Sequence, residues 1–365
     1  MNGQLPRWVD MGLIPLLNVT AAFLVSGLVV LFIGENPIQA VKEMIFGSLG
    51  YGEGFGFTLY YTTNFIFTGL AVAVAFHAGL FNIGGEGQAY VAGLGVALVC
   101  LTFGASFPWW ITFPFAIVGA ALFGAAWALI PAWLQAKRGS HIVITTIMFN
   151  FIAASLMVYL LVNVLKVPGS MEPATARFAA GGTLPYLRDI FPVFGFSPAN
   201  ISLIWALACC VGVYILIWRT KLGYEMRTFG FSQPAAIYAG ISPTKIIVVT
   251  MLISGGLAGM LALNEVMGAA QKLQDNFVAG YGFVGIAVAL MGRSHPVGIV
   301  LAALLFGILY QGGAELAFAM PAITRDMIVV IQGLVILFAG ALEHMFRPSL
   351  IRFFARRDPA PVPAE

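Results

Sequence analysis

The residues best placed to do chemistry in this chain lie where glycines crowd around polar side chains between apolar runs. Residues 79–90, Gly-Leu-Phe-Asn-Ile-Gly-Gly-Glu-Gly-Gln-Ala-Tyr, set Asn82, Glu86 and Gln88 among four glycines. A carboxylate in or beside a membrane is destabilising unless it pairs or meets water, which makes Glu86 a functional candidate. The glycines allow a broken helix whose free backbone ends meet a polar solute. The competing reading is a tight turn with Glu86 in water. No Gly-Lys-Ser/Thr follows, so the stretch is not a phosphate loop. Residues 139–151 place Thr145, Thr146 and Asn150 on one helical face. The Asn150 amide can bond a neighbouring helix or a ligand, and the structural role is favoured. His141 reads as interfacial. Residues 280–298 run from Tyr281 through a short apolar segment to Arg293 and His295, where Pro296 opens another helix. Arg293 either joins a docking surface or anchors the turn at the headgroups. Asn64, Asn264, Glu265, Gln271, Gln311, Glu315 and Gln332 are the other polar groups within or near apolar runs. They lack metal-ligand spacing, the carboxylates are too scattered for an acid–base pair, and no Ser/His/Asp arrangement stands out. No catalytic and no metal residue is therefore expected.

The elements that must position these groups follow from composition. Hydrophobic residues make up 60% of the 365 and charged residues 9%, against about 25% charged in soluble chains. This is the composition of an integral membrane protein. Apolar runs of crossing length fall at 14–33, 57–76, 89–103, 109–134, 142–165, 201–218, 246–263, 283–292, 296–313 and 327–342. The expected fold is all-α, with about ten transmembrane helices. The third and eighth runs are too short for straight crossings, and their glycines predict re-entrant or broken segments. Placing the N-terminus inside puts twelve Lys/Arg on inner segments and six on outer ones, so both termini are expected to be cytoplasmic. The run 14–33 is longer than a signal-peptide core and is expected to remain as an anchor. Gly119, Gly124, Gly255, Gly256, Gly259, Gly298 and Gly307 read as helix-packing positions. Cys100, Cys209 and Cys210 read as small buried hydrophobes. A net charge of +3, without a basic run, gives no argument for nucleic acid.

Residues 1–346 form the expected transmembrane domain, and 347–365 a basic, Pro-rich cytoplasmic tail whose end is disordered. The outer connection 166–200 carries five prolines and is either a docking loop or a structural cap. The inner connection 219–245 holds four Lys/Arg and one Glu between two uncharged runs. Ser232 can cap a short helix over 233–239, Pro234 suits its first turn, and Gly240 can stop it. That helix presents Tyr238, flanked by Phe229 and Phe231, as a surface for a soluble partner. An ordinary basic loop is the plain alternative.

Taken together, these stretches resemble the inner-membrane permease subunits of bacterial ABC importers. The branch is the one related to branched-chain amino acid and simple-sugar permeases, its nucleoside members above all. The resemblance is carried by Phe81-Asn82-Ile83-Gly84-Gly85-Glu86-Gly87-Gln88, by Val143-Ile144-Thr145-Thr146-Ile147-Met148-Phe149-Asn150, by Ala239-Gly240-Ile241, and by residues 280–296. Two positions depart from the family pattern: Ile142 stands where an acidic residue is common, and Ser232-Gln233-Pro234-Ala235-Ala236 replaces Asn-Pro-Glu-Ala-Ala. The resemblance implies a pair of permeases, usually two different chains, around a central path in the bacterial inner membrane. Two cytosolic ATPase subunits would bind ATP and Mg, so this chain carries no cofactor and does no bond chemistry. They would grip a coupling helix involving Ser232, Gln233, Pro234, Ala235, Ala236, Tyr238 and Gly240. An extracytoplasmic binding protein would deliver the solute, and ATP would shift the pair between outward- and inward-facing states. A nucleoside path needs aromatic faces with amides or hydroxyls, and Phe81, Asn82, Glu86, Gln88, Asn150 and Tyr281 are the residues expected to line it. A simple-sugar permease is the alternative, then an ion-coupled carrier, which also uses broken helices and intramembrane carboxylates. A membrane-embedded enzyme comes last.

Overall fold

The computed structural model describes residues 13–324, 326–334 and 337, and its regular structure is almost wholly helical. Among the described residues, seven helices are long and apolar enough to cross a membrane, or eight if a bent pair counts as one span. The chain divides into two compact units, residues 1–47 with 312–365 and residues 48–311.

In the first unit α1 (Ile14–Phe32) and α2 (Pro37–Leu49) meet at 117°. The bend has local causes. Gly34 takes the left-handed conformation at φ +91°, Asn36 Oδ1 accepts from the Ile38 amide at 2.9 Å, and Pro37 opens α2. Val30, Ala40, Leu316, Met320, Ile323, Ile328 and Ile331 form the core of this unit.

The second unit carries α3 (Gly52–His77), α4 (Gly85–Phe103), α5 (Trp109–Arg138), α6 (Ile142–Asn163), the single-turn α7 (Leu187–Ile190), α8 (Ser202–Arg219), α9 (Lys221–Phe231), α10 (Gln233–Tyr238), α11 (Pro243–Gly259) and α12 (Tyr281–Met291), and α13 (Pro296–Ala319) begins in it. α3 is the most enclosed of the crossing helices. Its buried threonines return their hydroxyls to the preceding turn, Thr62 to Thr58 O at 2.7 Å and Thr68 to Asn64 O at 3.1 Å. α5 ends at Gly139, left-handed at φ +68°, just after Lys137 and Arg138 in its last turn. α11 passes into a π-helical segment, Leu263–Ala270, and the two together form the span Pro243–Ala270.

The ten expected runs are revised in three places. The third, at 89–103, was expected to be too short, but the helix starts at Gly85 and its 19 residues suffice to cross. Glycine at 85 and 87 did not break the helix, because partners from other helices hold its first turn. The first run became α1, one arm of a bent pair whose other arm, α2, lies outside all ten runs. The eighth became α12, whose 11 residues rise only about 16 Å, roughly half a hydrocarbon core. The tenth, 327–342, is helical through 334 and at 337, but its other residues, the tail 347–365 and both termini lie outside the described residues.

The expected outer connection 166–200 is strapped along the far end of the π-helical span. Phe178 N donates to Gln271 O at 2.9 Å, Thr175 N to Leu273 O at 2.9 Å, and Leu184 N to Met267 O at 3.2 Å. Lys272 and Glu172 add an ion pair at 2.6 Å. Both partners are partly exposed, so Lys272→Ala is expected to lower stability by less than about 1 kcal/mol, measurable as a small thermal shift.

Candidate functional site

α4 and α12 both begin among buried glycines, and neither has a side-chain cap of its own. First-turn amides in such a place need partners, and here other helices supply them. Asn150 of α6 accepts from the Gly87 amide at 2.9 Å and donates to Ile83 O at 3.0 Å. Glu86 of α4 accepts from the amides of Gly280 and Gly282, both at 2.7 Å. Thus α6 caps α4, and α4 caps α12 with a carboxylate at its positive end. Close approach makes two of the glycines necessary. A methyl on Gly87 would lie 2.9 Å from Asn150 Cα, and one on Gly282 would lie 2.3 Å from the Glu86 amide nitrogen. Glu86 is accordingly not a solvated turn residue.

Asn82 and Gln88 form a reciprocal amide pair beside this break. Asn82 Nδ2 donates to Gln88 Oε1 at 2.9 Å, and Gln88 Nε2 donates to Asn82 Oδ1 at 3.1 Å. Asn82 also donates to Ser254 Oγ at 2.8 Å and accepts from the Gly84 amide at 2.9 Å, while Ser254 donates to Ala71 O at 2.6 Å. Phe81 leans on Phe76, ring centroids 5.1 Å apart. The structure therefore gathers Phe81, Asn82, Glu86, Gln88 and Asn150 at one helix break, and the three amides bond to protein groups there.

Tyr281 follows the capped Gly280, yet its ring belongs to a second constellation. Tyr61 and Phe65 of α3, Tyr281 of α12 and Tyr310 of α13 enclose one another, with Tyr61–Tyr310 at 5.6 Å, Phe65–Tyr310 at 4.9 Å and Tyr281–Tyr310 at 6.1 Å. Tyr61 and Tyr310 are half-buried, and Tyr310 lies within electrostatic reach of Glu86. Tyr60 stands beside Tyr61 at 5.1 Å and lies within electrostatic reach of the carboxyl of Glu265 on the π-helical segment. Asn64 Nδ2 donates to the same carboxyl, and Asn64 Oδ1 accepts from Asn264 Nδ2 at 2.8 Å. Asn264 Oδ1 in turn accepts from Asn200 Nδ2 at 2.8 Å and Ser202 Oγ at 3.0 Å.

Asn64, Asn264 and Glu265 were recognisable in the sequence only as scattered polar residues. Two hundred positions separate Asn64 from its partners, and no linear spacing announces their meeting. The one available clue was a carboxylate and an amide side by side at the end of an otherwise apolar run.

The basic connection 219–245 folds largely as its sequence implies. α10 spans Gln233–Tyr238, Ser232 Oγ accepts from the Ala235 amide at 3.5 Å, and Gly240 is left-handed at φ +80°. Tyr238 and Phe231 are 97% and 94% exposed. Phe229 departs from expectation: it is buried on the inner face of α9, a helix capped by Thr220 at the Gly223 amide. Ala236 is buried too. α9 backs directly on the helix break, because a methyl on Gly230 would meet His77 O at 2.4 Å.

Multiple apolar spans, a half-length helix and buried polar groups where helices begin are the architecture of a multi-pass membrane permease. The family described as "Branched-chain amino acid transport system / permease component" matches residues 54–340, and the chain belongs to it. Its relatives include ABC transporter permeases. A glucose ABC transporter permease of Haloferax volcanii is 34% identical over 98% of this chain and 95% of its own length. A guanosine ABC transporter permease of Bacillus subtilis is 34% identical over 90% of this chain and 93% of its own. A nucleoside ABC transporter permease of Lactococcus lactis subsp. cremoris is 32% identical over 86% and 85%.

Proposed function

We propose that this permease forms the membrane path of an ATP-driven importer for nucleosides. The observation that carries the proposal is the constellation of Tyr61, Tyr281 and Tyr310 beside Glu265 and Asn64. Ring faces suit a base, and a carboxyl with amides suits the hydroxyls and N–H groups of a neutral solute. The guanosine and nucleoside relatives support it. Phe81, Asn82, Glu86, Gln88, Asn150 and Tyr281 border the path in this reading. Tyr281 offers its ring, and the others fix the helix ends that form the wall. A simple sugar is the second reading, favoured by the glucose permease at equal identity, since sugars use the same union of ring stacking and polar acceptors.

In the working assembly, cytosolic ATPase subunits hold ATP and Mg and grip α10 through Ser232, Gln233, Pro234, Ala235, Ala236, Tyr238 and Gly240. A second permease, usually a different chain, completes the path. An extracytoplasmic binding protein delivers solute, and the whole sits in the bacterial inner membrane. Movement of α9 and α10 would reach the break at residues 79–84 through the contact of Gly230 with His77 and Gly79.

The test is uptake by proteoliposomes holding all the subunits and the binding protein. Nucleoside uptake should require ATP and the ATPase subunits. Glucose uptake without nucleoside uptake overturns the substrate, and ion-driven uptake by this chain alone overturns the mechanism. Tyr238→Asp is expected to cut uptake about tenfold, the scale of an interface hot spot, while ATP hydrolysis continues and the protein still inserts. Wild-type uptake in that variant would remove α10 from the coupling role. Ala236→Asp is a poorer probe, because burying its charge between α9 and α10 is expected to damage folding itself.

A further inference from the structure

Glu265 takes no part in capping the helix ends, yet it is a buried carboxyl, 7% exposed, within electrostatic reach of Tyr281 in the aromatic constellation. A carboxylate has about four acceptor positions. Among the described residues its side-chain hydrogen-bond partner is Asn64, and no ion pair reaches it. Acceptor capacity is therefore left over in a place where unsatisfied polar groups are destabilising.

The carboxyl is also held in one position. Asn64 is fixed by Asn264, and Asn264 by Asn200 and Ser202, a supporting layer of the kind that orients binding groups. The π-helical turn that carries Glu265 is a rare irregularity found frequently at functional sites. Tyr60 and Tyr281 are both within electrostatic reach of the carboxyl. Tyr61 and Tyr310 of the same constellation are half-buried.

We propose that Glu265 is a specificity-determining residue that accepts hydrogen bonds from two adjacent hydroxyl groups of the solute, the 2′,3′-diol of a ribose ring, while the base lies against Tyr61 and Tyr310. The inference rests on the nucleoside reading above. An acceptor-only group selects for paired donors. The ribose diol supplies them whatever the base, whereas among base edges only a guanine-like one presents two adjacent N–H groups.

The experiment is ATP-driven uptake by the complete assembly at saturating solute, where the binding protein's own preference no longer limits the rate. Guanosine, 2′,3′-dideoxyguanosine and inosine are compared in wild type and Glu265→Gln. Wild type is expected to move guanosine about tenfold or more faster than the dideoxy analogue, the scale of hydrogen bonds to a charged group. In Glu265→Gln that ratio should fall to about two, while the guanosine-to-inosine ratio stays as it was. An unchanged diol ratio overturns the proposal. So does a change confined to the guanosine-to-inosine ratio, which would place the carboxyl at the base edge. Equal slowing of all three solutes, with a lowered melting temperature, overturns it in favour of a structural tie. Should Glu265→Gln not insert, Glu265→Asp withdraws the carboxyl by one methylene, and full retention of the diol preference there also overturns it. If wild type takes up glucose and no nucleoside, the nucleoside reading has failed by itself. The diol assignment is then decided by the same variants on glucose against its 2-deoxy and 3-deoxy analogues, where an unchanged ratio ends it.

Discussion

Glu86→Ala is expected to abolish transport and to lower the melting temperature of the purified permease substantially. The side chain makes two hydrogen bonds of 2.7 Å to the Gly280 and Gly282 amides, at the start of a helix with no cap of its own. Hydrogen bonds to a charged group contribute about 1.5–3 kcal/mol each, so losing both costs about 3 kcal/mol or more. Alanine also leaves two partly buried donors with nothing to meet. Glu86→Gln retains acceptor oxygen but not the charge that faces the α12 dipole, and about half the loss is expected. Gly282→Ala attacks the same junction from the opposite side. Its methyl would lie 2.3 Å from the Glu86 nitrogen and 2.6 Å from its Cα, so backbone must give way and the capping bonds go with it. Because both substitutions remove one contact, the double variant should lose far less than the sum of the singles. Thermal unfolding in detergent and uptake in proteoliposomes measure both. Wild-type behaviour of Glu86→Ala would mean the carboxylate is dispensable to the junction.

How far the fold was legible depended on whether local chemistry or distant pairing decided each element. Ser232, Pro234 and Gly240 specify α10 almost unaided, because cap, first-turn proline and left-handed stop act within nine residues. Most of the crossing helices were equally plain, since apolar length alone marks them. The third run was misjudged for a physical reason. Glycines at 84, 85 and 87 read as a break, and the break is real at 78–84, but Asn150 from α6 restores a donor-satisfied helix from Gly85 onward. Phe229 reads in sequence as an aromatic flank of the surface that presents Tyr238; α9 is amphipathic, and its buried face holds Gly223, Met226 and Phe229. At the candidate site the Asn82–Glu86–Gln88–Asn150 grouping was visible as composition, yet its bonding was not. Glu265 was the harder case, since its partner Asn64 lies 201 positions away and is itself held through Asn264 by Asn200.

Gly255→Val is expected to prevent stable folding, although the position looks no different in sequence from Gly256 beside it. α5 and α11 cross with their backbones nearly touching. A methyl on Gly255 would lie 2.5 Å from Ala128 Cβ and 2.6 Å from Gly124 O, and one on Gly124 would lie 2.3 Å from Gly255 O. Gly259 repeats the arrangement one turn on, where a methyl would lie 2.5 Å from Ala120 O. In lipid, helix association depends on such close approach, because there is no water to expel from between the helices. Relief requires α5 and α11 to separate, and overpacking of this kind costs about 1–3 kcal/mol for a modest group, more for a branched one. The disturbance should also reach transport, since α11 leads straight into the segment that carries Asn264 and Glu265. Gly256→Ala is the matched control: its nearest neighbour would be Ala121 O at an ordinary 3.5 Å, and Gly212 of α8 has nothing within 4 Å. Alanine at either should be neutral or stabilising by up to about 1 kcal/mol, because glycine in a helix interior loses more backbone freedom on folding. Melting temperatures of the three variants in detergent decide the matter. If Gly255→Val melts like Gly256→Ala, the α5–α11 crossing is looser than the geometry requires, and the helix carrying Glu265 is positioned by something else.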